Sequence, residues 1–421
     1  MKTPHVELIC VGSELLAGKV NTHAAALGIK LSDIGLSIAR EHTVPDDRAI
    51  MRQTFAEALR RSDVVISAGG LGPTFDDFTR DVWSEVTRRP MKESSALARD
   101  IRKKFSSRGI EMPPANLRQA LVLKGAVPIA NTNGTAPGQY LVTGGKTLIL
   151  LPGPTRELFP MVEAVVLPRL RRRFRNLHSR LKTFLIAGVP ESRVDQMIRP
   201  LVDKYQRIGT CTVAHGILAS QSLITVKFRV EGSGRAAVDA GARRVAAEFR
   251  AVLKDIAVGE DEEKMENIVG AMLKRRRETV ALAESCTGGL VSKMITDRPG
   301  SSAYFVEGAV TYSDEAKTRR MGVPAAVLKR HGAVSEEVAR AMAEGMRRSS
   351  GSTYGISITG VAGPAGGTKG KPVGLVHIAC AGPAETTSKR FSLKGDRSWI
   401  RQRSAVLALD LLRQTIARRR R

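Results

Sequence analysis

The sequence is poor in aromatic residues and in cysteine, and both shortages limit the class of protein it can be. Aromatic side chains make up 4% of the 421 residues, too few for an extended surface on which nucleic-acid bases stack. The cysteines are scattered and form no CxxC pair; they are Cys10, Cys211, Cys286 and Cys380. A disulfide framework and a zinc site are therefore not expected, and the predicted location is the reducing cytoplasm.

Long apolar runs are also missing. No stretch approaches the roughly 18 uninterrupted apolar residues that a membrane-spanning helix needs. The first residues, MKTPHVELICVGSELL, contain only a short apolar run that ends before Glu14, so they predict a β-strand rather than a signal peptide. No membrane partner is expected.

Acidic residues are outnumbered, 41 against 67 Lys and Arg, which gives a formal net charge of +26. A basic chain favours anionic partners, either nucleic acid or phosphorylated small molecules. The basic residues lie mostly on helix-like stretches and aromatics are rare, so we favour solvated charge over a nucleic-acid footprint. Nucleic acid is not an expected partner.

The length and the pattern predict three α/β or α+β domains. Strand-like and helix-like segments alternate from residue 5 to about 173, which is typical of right-handed βαβ units around a parallel sheet. The basic stretch RLRRRFRNLHSRLK (169–182) is the predicted connector to a smaller α+β module, and a third α/β domain begins near ETVALAESCTGG. The predicted boundaries are 1–175, 180–258 and 259–421.

A glycine-rich loop with two acidic residues follows the predicted buried strand DVVISAGG (63–70). Glycines at the carboxyl end of a parallel strand let backbone N–H groups approach an anion, and open α/β sheets bind ligands at this edge. The loops NGTAPGQY (133–140) and LPGPTREL (151–158) are similarly placed. The candidate binding residues are Gly69, Gly70, Gly72, Thr74, Thr79, Gly134 and Thr135. The candidate ligands of a divalent cation are Asp76, Asp77 and Glu14.

The same loop has a plainer interpretation, in which the glycines form a turn and the aspartates cap the next helix. Acids, hydroxyls and three converging loops together favour a ligand site.

These motifs resemble the N-terminal domain of the CinA family (competence/damage-inducible protein A). The resemblance is carried by GSELLAGKVNT, AGGLGPTFDDFT, RGIEMPPANLRQAL and NGTAPG. It implies a three-layer α/β fold of the molybdopterin-binding type. It also implies hydrolysis of ADP-ribose to AMP and ribose 5-phosphate, assisted by a divalent metal such as Mg, Mn or Co.

A second candidate site centres on Ser285 in AESCTGG (283–289), at the turn between the predicted strand TVALA (279–283) and a helix. A hydroxyl there can be exposed, with helix N-terminal N–H groups nearby to hold an oxyanion. A serine nucleophile needs a base, and TYSDEAK (311–317) offers Tyr312 and Lys317, whose pKa burial would lower. Cys286 is the alternative nucleophile, and the sequence leaves this choice open.

Further polar residues follow the later strands of this domain. The loop ITGVAGPAGG (358–367) carries Thr359, and GDRSWIR (395–401) offers two arginines suited to a phosphate. Each residue alone has a simpler role, such as a helix cap or a surface charge, but together they predict a site. Its candidate binding residues are Thr287, Gly288, Thr359, Gly360, Arg397 and Arg401.

The last domain resembles the CinA C-terminal domain, which also occurs alone as the PncC-type nicotinamide mononucleotide (NMN) amidohydrolase. The resemblance is carried by ESCTGG, GSSAYF, TYSDEAK, GAVSEEVA, ITGVAGPAGGT, KPVG and GDR. It implies that Ser285 attacks the carboxamide of NMN with Lys317 and Tyr312 assisting, that ammonia leaves, and that water releases nicotinate mononucleotide without a cofactor.

The middle module resembles the KH-like domain of full-length CinA proteins, but its sequence lacks the GXXG loop with which KH domains clamp a nucleic-acid backbone. We therefore expect a spacer or dimerisation element, and a homodimer. Two alternatives stay open: a non-catalytic pterin- or nucleotide-binding protein, and a competence-associated DNA-binding factor.

Overall fold

The computed structural model describes residues 4–261 and 264–418. The chain forms two compact units. One contains the chain up to Leu181 with Arg207–Val213 and Arg229–Arg243, and the other contains Lys182–Gln206, Ala214–Phe228 and the chain from Arg244 onward. Over the described residues, no helix combines the length and the apolar character needed to span a bilayer.

The first unit is built on a six-stranded mixed sheet in the order β2-β1-β3-β8-β7-β6. Its strands and those of a small hairpin are β1 (Val6–Val11), β2 (Ile38–Val44), β3 (Val64–Ala68), β4 (Met91–Glu93), β5 (Leu121–Leu123), β6 (Val127–Ile129), β7 (Gly138–Thr143) and β8 (Lys146–Leu151). Strands β2, β1, β3 and β8 are parallel, whereas β7 and β6 are antiparallel to their neighbours. The predicted all-parallel sheet is therefore wrong at this edge, because β7 and β8 form a hairpin whose turn at Gly144 and Gly145 has positive φ at both residues.

Helices cover both faces of this sheet. They are α1 (Ser13–Leu16), α2 (His23–Ser32), α3 (Arg48–Arg61), α4 (Thr79–Thr87), α5 (Ser95–Ser106), α6 (Thr155–Met161) and α7 (Leu167–Arg173), with a 3-10 helix at Pro114–Ala120 and a π-helical turn at Val162–Val166. Alternate residues of β1 enter two separate cores, Leu8 and Cys10 on one face and Ile9 and Val11 on the other. This is the predicted three-layer α/β arrangement.

The elements of the middle module follow those of the first sheet along the chain. They are β9 (Leu177–Ala187), α8 (Glu191–Lys204), β10 (Arg207–Ile208), β11 (Cys211–Ser220), β12 (Leu223–Ser233), α9 (Arg235–Leu253) and β13 (Ala257–Glu260). Strand β9 begins at Leu177, so the second half of the predicted basic connector is strand. The sequence also failed to indicate β11. Burial alternates over its first eight positions, but the exposed ones include Ala214, Gly216 and Leu218, so polar and apolar residue types do not alternate with it.

The C-terminal part has a five-stranded sheet in the order β15-β14-β16-β17-β18. Its elements are α10 (Met265–Arg276), β14 (Val280–Glu284), α11 (Leu290–Thr296), a 3-10 helix (Ser301–Ala303), β15 (Phe305–Val310), α12 (Asp314–Met321), α13 (Ala325–His331), α14 (Glu336–Ser350), β16 (Tyr354–Gly360), β17 (Leu375–Ala381), β18 (Thr386–Ser392) and α15 (Arg397–Arg418). Strand β14 is parallel to β15 and β16, and β17 is antiparallel to β16 and β18. The α/β class predicted for this domain is confirmed.

The central strand β14 is buried on both faces, and this determines where the residues after it point. Val280 and Leu282 enter the core that contains α10 and α15, whereas Ala281 and Ala283 enter a core with Met321 of α12. The pairing with β16 continues past the strand end, because the Ser285 N–H donates to the Ile358 carbonyl at 2.9 Å. Strand alternation therefore directs Ser285 toward the face covered by α12.

Candidate active sites

The turn after β14 is fixed by Glu284, which the sequence analysis did not select. Its carboxylate is buried and accepts hydrogen bonds from the backbone N–H groups of Gly289, Val291 and Ser292 at 2.8–3.1 Å, and from the Ser292 hydroxyl at 2.7 Å. Glu284 thus occupies the N-terminus of α11. Because those helix N–H groups already donate to Glu284, they cannot hold an oxyanion, and the sequence prediction is wrong on this point. The N–H groups of the turn itself remain candidates for that role.

Ser285 sits at this turn with a hydroxyl free to react. The residue is 8% exposed, and among the described residues its Oγ has no hydrogen-bond partner. The hydroxyl of Thr287, two residues on, is fully buried and also lacks a partner there. A buried polar atom without a partner calls for a ligand or water, so both hydroxyls have capacity to contact a substrate.

Lys317 brings an amine to the same face. Its side chain is 1% exposed, and Nζ donates to the backbone carbonyls of Tyr312 at 2.9 Å and Ser313 at 3.4 Å. Burial lowers the pKa of Lys317, while Asp314, whose Oδ1 lies 3.9 Å from Nζ, acts in the opposite direction. Lys317 and Cys286 lie close enough for each to shift the pKa of the other, which places the amine near the Ser285 turn.

Cys286 belongs to the apolar core. It is 5% exposed, packs within the cluster that contains Val280 and Leu282, and burial raises its pKa to about 12. A thiol with this pKa stays protonated at neutral pH and is a poor nucleophile. Of the two nucleophiles that the sequence left open, the geometry favours Ser285.

Two arginines of α15 connect the loops around Ser285. Arg401 donates from Nη2 to the Thr287 carbonyl at 2.7 Å, and Arg397 donates to the Gly363 carbonyl at 2.7 Å and to the Tyr312 hydroxyl at 3.1 Å. Tyr312 is largely exposed. The structure therefore brings together six predicted residues: Ser285, Thr287, Tyr312, Lys317, Arg397 and Arg401.

The other predicted residues of this site have structural contacts. Thr359 is buried, and its hydroxyl donates to the Ala333 carbonyl at 2.8 Å, so it holds a loop rather than presenting a free hydroxyl. A Cβ at Gly360 would lie 2.8 Å from the Leu375 carbonyl oxygen, which restricts that position to glycine. Gly288 has φ +60°, and its close neighbour is the Arg401 guanidinium.

The N-terminal site is a cavity of about 370 Å³ at the carboxyl edge of the first sheet. All three predicted loops line it, and five carboxylates border it. Its lining includes Gly69, Gly70, Gly72, Thr74 and Thr135 from the predicted set, Gln119, and the acids Glu14, Asp46, Asp76, Asp77 and Glu157. The three loops, which the sequence predicted to lie near one another, line the same cavity in the structure.

Side chains of the glycine-rich loop and of the helix that follows it hydrogen-bond to the loop backbone and stabilise its conformation. Asp77 Oδ2 accepts from the Thr74 N–H at 2.9 Å and from the Thr74 hydroxyl, and the buried Thr79 hydroxyl donates to the Gly69 carbonyl at 2.9 Å. Arg80, which the sequence analysis did not select, is 2% exposed and donates to the carbonyls of Leu71 at 2.8 Å and Gly72 at 3.0 Å. Thr79 therefore shapes the loop and has no free hydroxyl for a ligand.

The loop of residues 133–140 approaches Glu157 very closely at Gly134. A Cβ placed on Gly134 would lie 2.1 Å from Glu157 Oε2, an atom that also accepts from Asn131 Nδ2 at 2.8 Å. Because glycine has no Cβ, the loop backbone can approach the Glu157 carboxylate this closely at the edge of the cavity. Neither Glu157 nor Asn131 was selected from the sequence.

The acidic residues differ in how far they are already engaged. Glu14 is exposed and pairs with Lys19 at 3.2 Å, and Asp46 accepts from the Ser13 N–H and hydroxyl at 2.8 and 2.9 Å. The Asp76 carboxylate has no hydrogen-bond or ion-pair partner among residues 4–261 and 264–418. In that part of the chain no group of three or more His, Cys, Asp or Glu side chains is arranged to hold a metal ion, so Glu14, Asp76 and Asp77 do not form a preassembled trio.

Family models match the two ends of the chain, and relatives match it over almost its whole length. The family model described as "CinA C-terminal domain" matches residues 262–416, and the one described as "Probable molybdopterin binding domain" matches residues 7–172. The chain is 41% identical to a CinA-like protein of Endomicrobium trichonymphae, covering 98% of each chain. It is also 41% identical to a CinA-like protein of an Anaeromyxobacter species, covering 97% of this chain and 98% of the relative. The crystal structure of the protein CinA from Thermoplasma acidophilum matches 38% of this chain and 96% of its own, with 36% identity and a TM-score of 0.36.

Proposed function

The chain belongs to the CinA family. We propose that it is a cytoplasmic hydrolase with two activities, one on the pyridine nucleotide NMN and one on ADP-ribose. The C-terminal site deamidates NMN to nicotinate mononucleotide and ammonia. The N-terminal site hydrolyses ADP-ribose to AMP and ribose 5-phosphate with a divalent metal. The protein acts as a homodimer.

The observation that carries the deamidase proposal is the buried Lys317 amine beside the Ser285 turn. Burial lowers the pKa of Lys317, and in its neutral form the amine accepts the proton of Ser285 as Oγ attacks the carboxamide carbon. The proton then passes to the leaving nitrogen, the C–N bond breaks, and ammonia departs. Water attacks the resulting ester, which returns the proton to Ser285 and releases the carboxylate product.

The residues around Ser285 supply charge stabilisation and orientation for this reaction. The Thr287 N–H has no acceptor in the described part of the chain, so it is available to donate to the oxygen that becomes negative during attack. Arg397 and Arg401 carry the positive charge that suits the phosphate of NMN. The Tyr312 hydroxyl accepts a hydrogen bond from Arg397 at 3.1 Å, and we assign it to orienting the pyridine ring.

The N-terminal proposal rests on the glycine loops and acids that line one cavity. The loop Gly69–Gly72, braced by Arg80, offers backbone N–H groups to a pyrophosphate. Asp76 and Asp77 would hold a divalent cation together with the phosphate oxygens, which suits magnesium because it is commonly bound by one or two carboxylates plus substrate phosphates. The cation would stabilise the charge that develops on the phosphate oxygens.

One pair of assays tests both halves of the proposal. Purified protein is incubated with NMN, with ammonia release measured, and separately with ADP-ribose and Mg²⁺, Mn²⁺ or Co²⁺, with AMP measured. Turnover in both assays is expected. Failure to form AMP would favour a pterin- or nucleotide-binding role for the N-terminal domain, and failure to release ammonia would remove the deamidase assignment.

The pH dependence of deamidation should report the ionisation of Lys317. A general base must be neutral, so the rate should rise with pH through a pKa below the ordinary lysine value. Asp314 raises the pKa of Lys317, so Asp314→Asn should move this rise to lower pH. The test is the profile of kcat/KM against pH for both proteins, with Lys317→Met expected to be inactive. An unchanged profile in Asp314→Asn would argue against Lys317 as the base.

The close approach of Gly134 to Glu157 gives a test of the N-terminal cavity. In Gly134→Ala the new methyl must displace the Glu157 carboxylate or the loop, since its Cβ would lie 2.1 Å from Oε2. A shift of about 1 Å can cost about 100-fold in rate, so we expect a loss of that order in ADP-ribose hydrolysis with deamidation unchanged. Gly216→Ala is the matched control, because a Cβ there meets no atom within 4 Å.

A further inference from the structure

A second cavity in the first unit has no part in either proposed reaction. It has a volume of about 380 Å³ and lies between the end of α7, the start of β9 and the first turn of α9. Its polar lining consists of Arg171, Arg175, His178, Ser179, Arg180, Arg235, Asp33 and Asp239, and its apolar lining includes Ile34, Phe174, Leu177 and Val238. Four arginines against two aspartates leave a net positive charge. The basic stretch that the sequence analysis treated as a connector forms most of this wall.

The arginines of this cavity divide into two kinds. Arg180 and Arg235 are held by Asp239, with Nε–Oδ distances of 2.6 and 3.6 Å. Arg171 and Arg175 are exposed, and neither has an ion-pair or hydrogen-bond partner among the residues that the structure describes. Arg171 lies in the last turn of α7, where its charge also suits the helix dipole, but Arg175 lies beyond the helix. Two unpaired guanidinium groups at one cavity are suited to bidentate contacts with phosphate oxygens.

The apolar lining indicates that the ligand carries an apolar group in addition to its phosphates. Val238 is fully buried, Ile34 is 6% exposed, and Phe174 and Leu177 are half-buried. A volume of this size falls within the range of small-molecule sites. We infer that this cavity binds a nucleoside diphosphate, with the phosphates on Arg171 and Arg175 and the ring against the apolar wall.

A nucleic-acid strand fits the cavity less well. Asp33 and Asp239 lie in it, and carboxylates oppose a continuous run of phosphates. A strand would also need cations along an open surface and aromatic residues for stacking, whereas Phe174 is the one Phe, Tyr or Trp among the described residues that line the cavity. The inference goes beyond the proposed function and does not depend on it, because the residues involved are separate from both active sites.

The test is calorimetric titration of the full-length chain with ADP in the presence of EDTA, which removes metal-assisted binding at the N-terminal site. We expect ADP to bind, and Arg171→Gln and Arg175→Gln each to weaken it about tenfold, as expected for loss of a charged phosphate contact. Arg172→Gln is the matched control, since it removes the same charge from the same helix end outside the cavity lining; it should change the dissociation constant by less than about twofold.

Three outcomes would overturn the inference. They are absence of ADP binding to the unmodified chain, equal dissociation constants for the three variants, and tighter binding of a mixed-sequence single-stranded oligonucleotide that depends on Arg171 and Arg175. Adenosine, which lacks phosphates, should not compete with ADP. The unfolding temperature of the same variants checks that they are folded, and it is expected to be unchanged.

Discussion

Replacing Ser285 with alanine should abolish ammonia release from NMN and leave ADP-ribose hydrolysis intact. The hydroxyl is the one atom of the site that forms a covalent bond in the proposed reaction, and in enzymes with a serine nucleophile its loss costs at least about 1,000-fold in kcat. The C-terminal site shares no residue with the N-terminal cavity, so the second activity should not change. The measurement is the initial rate of both reactions on one preparation.

Cys286→Ala is the matched control for Ser285→Ala. The two positions are adjacent on the same turn, but burial raises the pKa of Cys286 to about 12 and its side chain lies in the core. Loss of the sulfur should lower stability by about 1–2 kcal/mol while the deamidase rate stays within a few-fold. A large loss of rate in Cys286→Ala with full activity in Ser285→Ala would reverse the assignment of the nucleophile. Mass spectrometry of protein quenched during turnover should find the acyl group on the peptide that contains Ser285.

The pattern of the sequence was enough to predict which loops lie together at each candidate site, but not the contacts of every side chain. Strand β14 could be predicted because a short apolar run precedes a turn, and alternation along that strand separates Ser285 from Cys286. The carboxyl ends of parallel strands meet at one edge, which is why three loops far apart in sequence converge at the N-terminal cavity.

The residues that escaped prediction depend on tertiary contacts. Arg80 has the appearance of an ordinary surface charge in the first turn of a helix, yet it is buried because the folded Gly69–Gly72 loop offers it two carbonyls. Glu284 resembles a loop acid, but its position on β14 directs it to the start of α11. Alternation along the strand could have suggested this for Glu284. For Arg80, no local signal distinguishes a buried guanidinium from a solvated one.

Asp76→Ala should have the opposite effect to Ser285→Ala: it should abolish metal-dependent ADP-ribose hydrolysis and leave NMN deamidation unchanged. Asp76 borders the cavity beside the glycine-rich loop, and its carboxylate has no partner within the described residues, so its charge is available to a cation. Stabilisation by a bound metal is worth several kcal/mol, and we expect a rate loss of at least about 100-fold. Glu14→Gln should have a smaller effect, because Glu14 is 55% exposed and paired with Lys19.

A further substitution, Asp76→Asn, separates a metal-binding role for Asp76 from a purely structural one. If Asp76 acts through a cation, raising the Mn²⁺ concentration should partly restore the rate of Asp76→Asn, and the unfolding temperature should stay close to that of the unmodified chain. The Asp76 carboxylate does not cap the following helix, whose N-cap is Phe78. If Asp76 acts only through the fold, metal should restore nothing and the unfolding temperature should fall. Loss of both activities in either Ser285→Ala or Asp76→Ala would contradict the assignment of two independent sites, since each change would then act through the fold.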